Sequence, residues 1–544
     1  MGSNKSEFQK VTETGNKNVS VLSAYNKIPY GLINAEIDGS ATDILREFGE
    51  IMGFYKAYKK GVEFEAEGTG GHYVAAQLRY KKVATLINKE ARFLFGQKPD
   101  INIESDGDVG KITEDAKAML TTYQNLVDRI LRENKFESIL LKAAKDCFIG
   151  KRVAALVNFN EEYGVTLQFL PAVNFIYETR LDNPEVLEKF VCFVVVKERT
   201  NLSDKRIFRK KFQMEYTEEG NVCYLEETLH DGAGNLLETI TEYQPTLLDR
   251  IPAAVIINDG LTGETDGESE VESLSDYEKW YSKLSNADID AERKGMNQIK
   301  YTVDMATNST RNLSTGPGAY WDLASDQNLE HPAPAVGTIN TDTTYSQSLD
   351  TTLSRMRASM YEELDIPDIT LENLQGTITS GKAMKCLYWP LIVRCNEKMK
   401  TWGPALEYIT NVIIQGAMVY PNCIVKYTDD ALSPVDYEVN VAQNYPLPED
   451  EEDEKNMDLA EVAANAMSRK AYMKKWRLLT DHEVDEELQQ IALELSMFEG
   501  TNMETTTVSD SVDDEGNLID PETGRDTDPI DGTPEGDDED IPLE

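Results

Sequence analysis

The sequence predicts an α+β protein, with one antiparallel β region set inside a helical surround. Between Val153 and Ile257 apolar residues alternate at period two between short turn signals, while on either side they recur three and four apart. Further along, two amphipathic stripes bracket an insert too rich in glycine and proline for a helix, and a longer third stripe follows. With 40% apolar and 28% charged residues over 544 positions, the chain has material for real cores.

The first 40 residues are polar and turn-rich, which predicts an arm. Helical patterning starts near Ala41 and recurs to about Asn88, interrupted by the loop-like run Glu67–His72. Residues 91–103 read as a helix end at Gly96, a turn at Pro99 and a short strand. From Ile112 to Phe148 the pattern is helical, with Leu120, Leu126, Ile130 and Leu131 apolar. Val153–Phe159 and Val165–Leu170 flank Asn160–Gly164 as a hairpin. Strands are predicted at Phe190–Lys197, Ile207–Tyr216, Cys223–Thr228 and Leu236–Tyr243, with turns at Glu218–Asn221 and Asp231–Asn235. Ile251–Ile257 closes the region before an acidic, glycine-rich loop to Glu268.

Val271, Leu274, Tyr277, Tyr281 and Leu284 then mark one long helix, running to about Asn297. Tyr345, Leu349, Leu353, Met356, Met360 and Leu364 mark a second, stopped by Pro367. Each should be about 35 Å long. The insert Tyr301–Thr341 between them has strand-like pieces at both ends. Ser380–Tyr420 carries the third stripe: Met384, Leu387, Leu391, Cys395, Met399, Trp402, Leu406, Ile409 and Ile413. Pro390, Gly403 and Pro404 lie inside it and predict kinks. A strand at Ile424–Thr428, an extended piece near Tyr437–Val441 and a helix from Lys455 to about Phe498 follow the same reading. The tail after Thr501 lacks aromatics and is predicted disordered.

Charge narrows the function. The chain carries −43, and the tail from Thr501 holds 16 acids against the single base Arg525. That balance argues against a broad basic face that grips nucleic acid, because phosphate affinity rests on lysine and arginine. No apolar run approaches the roughly 20 residues that cross a bilayer. The N-terminus lacks the apolar core of a signal peptide, and Met1–Ser6 fits a myristoylation pattern only as short polar sequences often do. Six scattered cysteines form no CxxC pair and four histidines lie far apart, so neither a metal centre nor a cofactor is expected. A reduced, cytoplasmic protein is the default.

Enzyme motifs fail on inspection. Gly376–Lys382 is nearly a phosphate-binding loop, but Ala383 stands where a Ser or Thr must hold magnesium, and no buried strand precedes it. Ser380 reads more simply as a helix cap. Ser511, Asp513, Glu515, Gly516 and Glu522 fall at calcium-loop spacings without the first aspartate or flanking helices. No GxSxG elbow is present. Among 97 acids a carboxylate pair says nothing about acid–base catalysis.

The paired stripes flanking a breaker-rich insert read as an antiparallel helix pair projecting from a body, its apolar faces covered by neighbours in a ring or filament. In this order of parts, from Ala41 to Gly500, the chain resembles the portal proteins of long-tailed bacteriophages. The similar pieces are Lys89–Pro99, Ile251–Asn258 with its acidic loop, Glu272–Tyr281, Asp365–Asp368, Thr379–Ala383 opening the helix with Tyr388–Leu391, Ser468–Trp476 and Asp485–Leu488.

The resemblance implies a ring of about twelve subunits at one capsid vertex, assembled in the host cytoplasm. It is the conduit for double-stranded DNA in packaging and ejection, and it meets terminase, the head–tail adaptor, and the capsid and scaffolding proteins. By position it implies an arm (1–40), a wing (41–267), stem helices (268–300 and 341–366), a clip (301–340) and a tunnel loop (367–380). A kinked wing helix and strand (381–440), a crown (441–500) and the acidic tail (501–544) complete it. Thr370, Glu372, Asn373, Gln375, Thr377, Thr379 and Lys382 would face DNA. Val271, Leu274, Tyr277, Tyr281, Leu284, Leu349, Leu353, Met356 and Met360 would pack the stem. An acidic wall suits a conduit, since each lysine on it would add phosphate attraction and friction. The alternatives are a ring-forming virion adaptor without DNA passage and a nucleotide-dependent motor subunit, against which Ala383 speaks.

Overall fold

The computed structural model describes residues 28–36, 41–65, 74–105, 113–197, 205–217, 220–261, 266–296, 299–306, 321, 323–330, 333–339, 345–369, 381–428, 432–446, 451–477, 484 and 487–493. The chain divides into two compact units, Met1–Pro448 and Glu449–Glu544.

In the first unit the order is α1 (Tyr30–Asn34), α2 (Ala41–Lys60), α3 (Lys82–Phe95), β1 (Asp100–Glu104), α4 (Glu114–Glu133) and α5 (Phe136–Gly150). The single helix expected over Ile112–Phe148 is two. Asn134 caps α4 and Lys135 turns into the left-handed region at φ 53°, so the chain changes direction before Phe136 is buried. Thr113 starts α4 by accepting a hydrogen bond from the Ala116 amide, and Glu114 and Asp115 complement the helix dipole. Part of the predicted arm is also corrected: α1 packs Leu32 and Ile33 into the core. The Glu67–His72 loop lies outside the described residues, and 74–80 is not helical.

The β region is two antiparallel sheets, not one. In the first, β2 (Arg152–Asn160) lies between β3 (Gly164–Pro171) and β9 (Ala253–Ile257), with Asn160 opposite Gly164 at the predicted turn. The second runs β4 (Phe175–Thr179), β5 (Leu187–Lys197), β6 (Lys205–Thr217), β7 (Gly220–Asp231) and β8 (Leu236–Pro245) in chain order. Strand β4 escaped the sequence reading because only five residues pair and its alternation is short.

Next come α6 (Glu270–Met296), β10 (Ile299–Val303), β11 (Ala335–Ile339), α7 (Ser346–Glu363), α8 (Gly381–Val419), α9 (Pro421–Ile424) and β12 (Glu438–Ala442). The two helices expected to match differ: α6 has 27 residues and α7 has 18, about 40 Å and 27 Å. The strand predicted at Ile424–Thr428 is instead the turn-like α9, started by Pro421, whose missing amide costs nothing at a first helical position. Strand β12 pairs β1 antiparallel, Ala442 against Asp100.

The second unit contains α10 (Glu451–Ala463) and α11 (Arg469–Arg477). The single helix expected from Lys455 breaks at Asn465, left-handed at φ 58°, and restarts where the Ser468 hydroxyl accepts from the Ala471 amide. Trp476 Nε1 donates to Asp458 Oδ2 at 2.7 Å, tying the two helices together. The acidic tail lies outside the described residues.

A buried polar clamp holds the α1 segment on the second sheet. The Glu36 carboxylate pairs with Arg209, and Lys189 and Lys211 stand 3.7 Å from its other oxygen. Arg209 also reaches Glu226 (3.0 Å) and donates to the Thr228 hydroxyl (3.3 Å). That hydroxyl therefore gives its proton to His230 Nε2 (2.9 Å), leaving His230 Nδ1–H for the Gly234 carbonyl (3.1 Å). Burial, with the nearby Arg209, holds His230 below its ordinary range. A depressed histidine contributes stability that is present above the unfolded value of about 6.5 and lost as pH falls through it. Thermal unfolding between about pH 7.5 and 5 should therefore drop more steeply for the native chain than for His230→Gln.

Candidate functional site

Helices α6 and α7 pack together. Their apolar stripes meet: Val271, Leu274 and Met360 are buried, and Tyr277, Tyr281, Leu284, Leu349, Leu353 and Met356 are half-buried. The pair is antiparallel, since Tyr345 at the start of α7 reaches Asp288 near the end of α6 (3.4 Å). Strands β10 and β11 join the far ends, Ile299 opposite Ile339, followed by a bridge between Met305 and Ser325. Tyr301 and Val336 are exposed on these strands, and Trp280 is exposed on α6.

The opposite stripe of α6 is polar and buried, which sequence reasoning missed. Glu278, Ser282, Asn286 and Asp290 recur every four residues. Glu278 accepts from the amides of Val62 (3.0 Å) and Val83 (2.7 Å), and Asp290 from Ala76 (3.0 Å). Asn286 accepts from the Leu78 amide and donates to its carbonyl, both at 2.7 Å, as a paired strand would. The helix thus stands in for a sheet edge along residues 74–83. Four polar residues at i+4 spacing opposite an apolar stripe were the available signal.

At its root α6 enters a charged joint. Arg394 and Lys398 lie one turn apart on α8, facing Glu90 of α3, Glu270 of α6, and Asn258 and Asp259 after β9. Lys398 Nζ donates to Asn258 Oδ1 (2.8 Å), Asp259 Oδ2 (2.9 Å) and Glu270 Oε1 (2.8 Å), over the Phe148 ring. Arg394 Nε donates to Glu90 Oε1 at 2.8 Å and Nη2 to Glu270 at 3.3 Å. Burial alone would pull both cations down, but the facing carboxylates outweigh it and hold them above their ordinary ranges. Burial, then the neighbouring Glu90 carboxylate, drives Glu270 well above the carboxylate range. The acidic loop is drawn in behind: the Glu268 amide donates to the Asn258 carbonyl (2.7 Å), and Gly267 passes so close to the Asn258 and Lys151 backbones that a Cβ would collide with both.

From α7 the chain leaves through Asp365, left-handed at φ 52°, and Asp368 is held by Arg357 at 2.6 Å. Thr370, Glu372, Asn373, Gln375, Thr377 and Thr379 lie outside the described residues, as does the side chain of Lys382, whose backbone opens α8. Helix α8 stays helical through Pro390, Gly403 and Pro404.

Among the described residues, no cluster of three or more His, Cys, Asp or Glu could hold a metal ion, and no helix is long and apolar enough to cross a membrane. Cys147, Cys192, Cys223 and Cys395 are buried thiols pushed up by desolvation, the opposite of an activated nucleophile. A surface groove lined by Lys98, Asp100, Gln124, Asp128 and Arg132 has a volume of about 500 Å³.

Residues 50–500 match the model of a protein family described as phage portal protein, SPP1 Gp6-like. No curated protein matches the chain.

Proposed function

The chain belongs to the phage portal protein family, SPP1 Gp6-like, and from that premise we propose that it forms a ring of twelve at one capsid vertex, through which double-stranded DNA passes in packaging and ejection. The antiparallel pair α6–α7, closed at its far end by β10 and β11, carries this reading: it is a stem with a clip at its tip, offered to terminase and later to the head–tail adaptor. The tunnel loop is residues 367–380, between stem and wing helix. Its residues Thr370, Asn373, Gln375 and Thr377 touch DNA by sterics and hydrogen bonds, with Lys382 the adjacent base. The helices α10 and α11 form the crown, and capsid and scaffolding proteins surround the ring in the virion.

Acidity supports the conduit. Each subunit brings −43, so a channel of twelve repels the phosphate backbone and lets it slide.

Electron microscopy of the purified chain tests the ring. The expected result is a closed oligomer with a hole of about 30 Å or wider, because B-DNA needs roughly 20 Å; a closed oligomer without a channel overturns the reading. Deleting Asn373–Thr377 should leave rings intact and abolish DNA packaging, and a loss of rings instead would refute the loop's assignment.

A further inference from the structure

The joint at the root of α6 holds three carboxylates, Glu90, Glu270 and Asp259, against two cations, Arg394 and Lys398. Glu90, Glu270 and Lys398 are almost wholly buried. One oxygen of each glutamate is satisfied by the cations, while Glu90 Oε2 and Glu270 Oε2 are buried without a donor. Both carboxylates converge on the same two cations: Glu90 Oε1 lies 2.8 Å from Arg394 and 3.6 Å from Lys398, and Glu270 Oε1 lies 3.3 Å and 2.8 Å from them. Two ionised carboxylates so placed repel, and neither has a proton to give the other.

We propose that Glu90 and Glu270 share one tightly held proton, which makes this joint a single-proton binding site locking the root of α6 to α3 and α8. The proton offsets negative charge and gives a buried carboxylate oxygen the donor it lacks. Arg394 is the nearer cation to Glu90 and Lys398 the nearer to Glu270, both at 2.8 Å. Burial and the Glu90 charge push Glu270 up to about 8, while Lys398 and Arg394 outweigh burial at Glu90 and hold it below the carboxylate range. A metal ion is a poor substitute, since the ammonium and guanidinium already occupy the open side of the carboxylates and would repel it. The other titratable groups packed around the pair are the Cys395 thiol on α8 and the Cys147 thiol on α5, both held neutral by burial.

The sign follows from linkage. A carboxyl whose folded value is raised gives stability that is full below the unfolded value, about 4.3, and lost as pH rises through the folded one. Across that window each pH unit weakens folding by up to about tenfold in the equilibrium constant, the slope of one proton. A switch of this kind would loosen the root of α6 in mildly alkaline solution.

Infrared spectroscopy of the full chain reads the proton directly, because a neutral carboxylic acid absorbs at higher frequency than a carboxylate. At about pH 7.5 the native chain should show a neutral-acid band that fades as pH rises through about 8 and is missing from Glu270→Gln. Asp146 and Glu278 are also raised, so Asp146→Asn and Glu278→Gln should leave the band in place. Glu270→Gln, whose amide can still donate to Glu90, should also flatten the fall in thermal stability between about pH 4.3 and 8. A band absent from the native chain, one that survives Glu270→Gln, or an unchanged slope across that window in the variant each overturns the proposal. Should the variant not fold, the native pH titration of the band still decides.

Discussion

Methionine in place of Lys398 lowers the unfolding free energy by about 3–5 kcal/mol in denaturant titration, the range for breaking a buried ion pair from one side. The ammonium is only 3% exposed and donates to Asn258 Oδ1 (2.8 Å), Asp259 Oδ2 (2.9 Å) and Glu270 Oε1 (2.8 Å). Methionine keeps the volume and the stem but leaves Arg394 alone against three carboxylates. The joint would then have to protonate further or admit water. A loss below about 1 kcal/mol would mean that the carboxylates relax to solvent and that the joint does not organise the root of α6. Removing the whole network for apolar residues of like size should cost far less than Lys398→Met, because the desolvation penalty goes with it.

Lys398 also marks where the sequence was legible and where it was not. Of the nine residues read as one face of a long helix, Leu391, Cys395, Trp402, Leu406, Ile409 and Ile413 are buried and Met384 and Met399 half-buried, whereas Leu387 is exposed. Lys398 sits on that same face, three residues after Cys395 and four before Trp402, so a base inside an apolar stripe was visible. Its partners were not: they come from α3, α6 and the turn after β9, up to 308 residues away in the chain, and periodicity carries no such information. The same limit hid the strand-like use of Asn286 and the split of the β region into two sheets. Local chemistry read well, as at Gly96, Asn160–Gly164 and Pro367. Misreadings fell where one residue redirects the chain against the pattern, at Lys135 and Asn465, both left-handed without being glycine. Of the candidate site, the nine apolar residues of α6 and α7 lie buried or half-buried on those two helices, whereas the loop residues from Thr370 to Thr379 lie outside the described part of the chain.

Two tryptophans on α8 give the second large effect its control. Trp402 is 1% exposed, edge-on to Phe95 at 4.9 Å and within 6.3 Å of Phe169, so it welds α8 to α3 and to β3. Trp402→Ala empties the largest fully buried side chain in the described core and should cost about 3–5 kcal/mol. Trp389 lies on the same helix but is 63% exposed, so Trp389→Ala should change the stability of the isolated subunit by no more than about 0.5 kcal/mol. Urea unfolding of both variants, with the slope compared as well as the midpoint, separates the outcomes. Equal losses would mean that the face carrying Trp389 is covered as fully as the core in the purified protein. A small loss at Trp402 would mean that α3 and α8 close over the gap, and that α8 is held by the charged joint rather than by its aromatic seam.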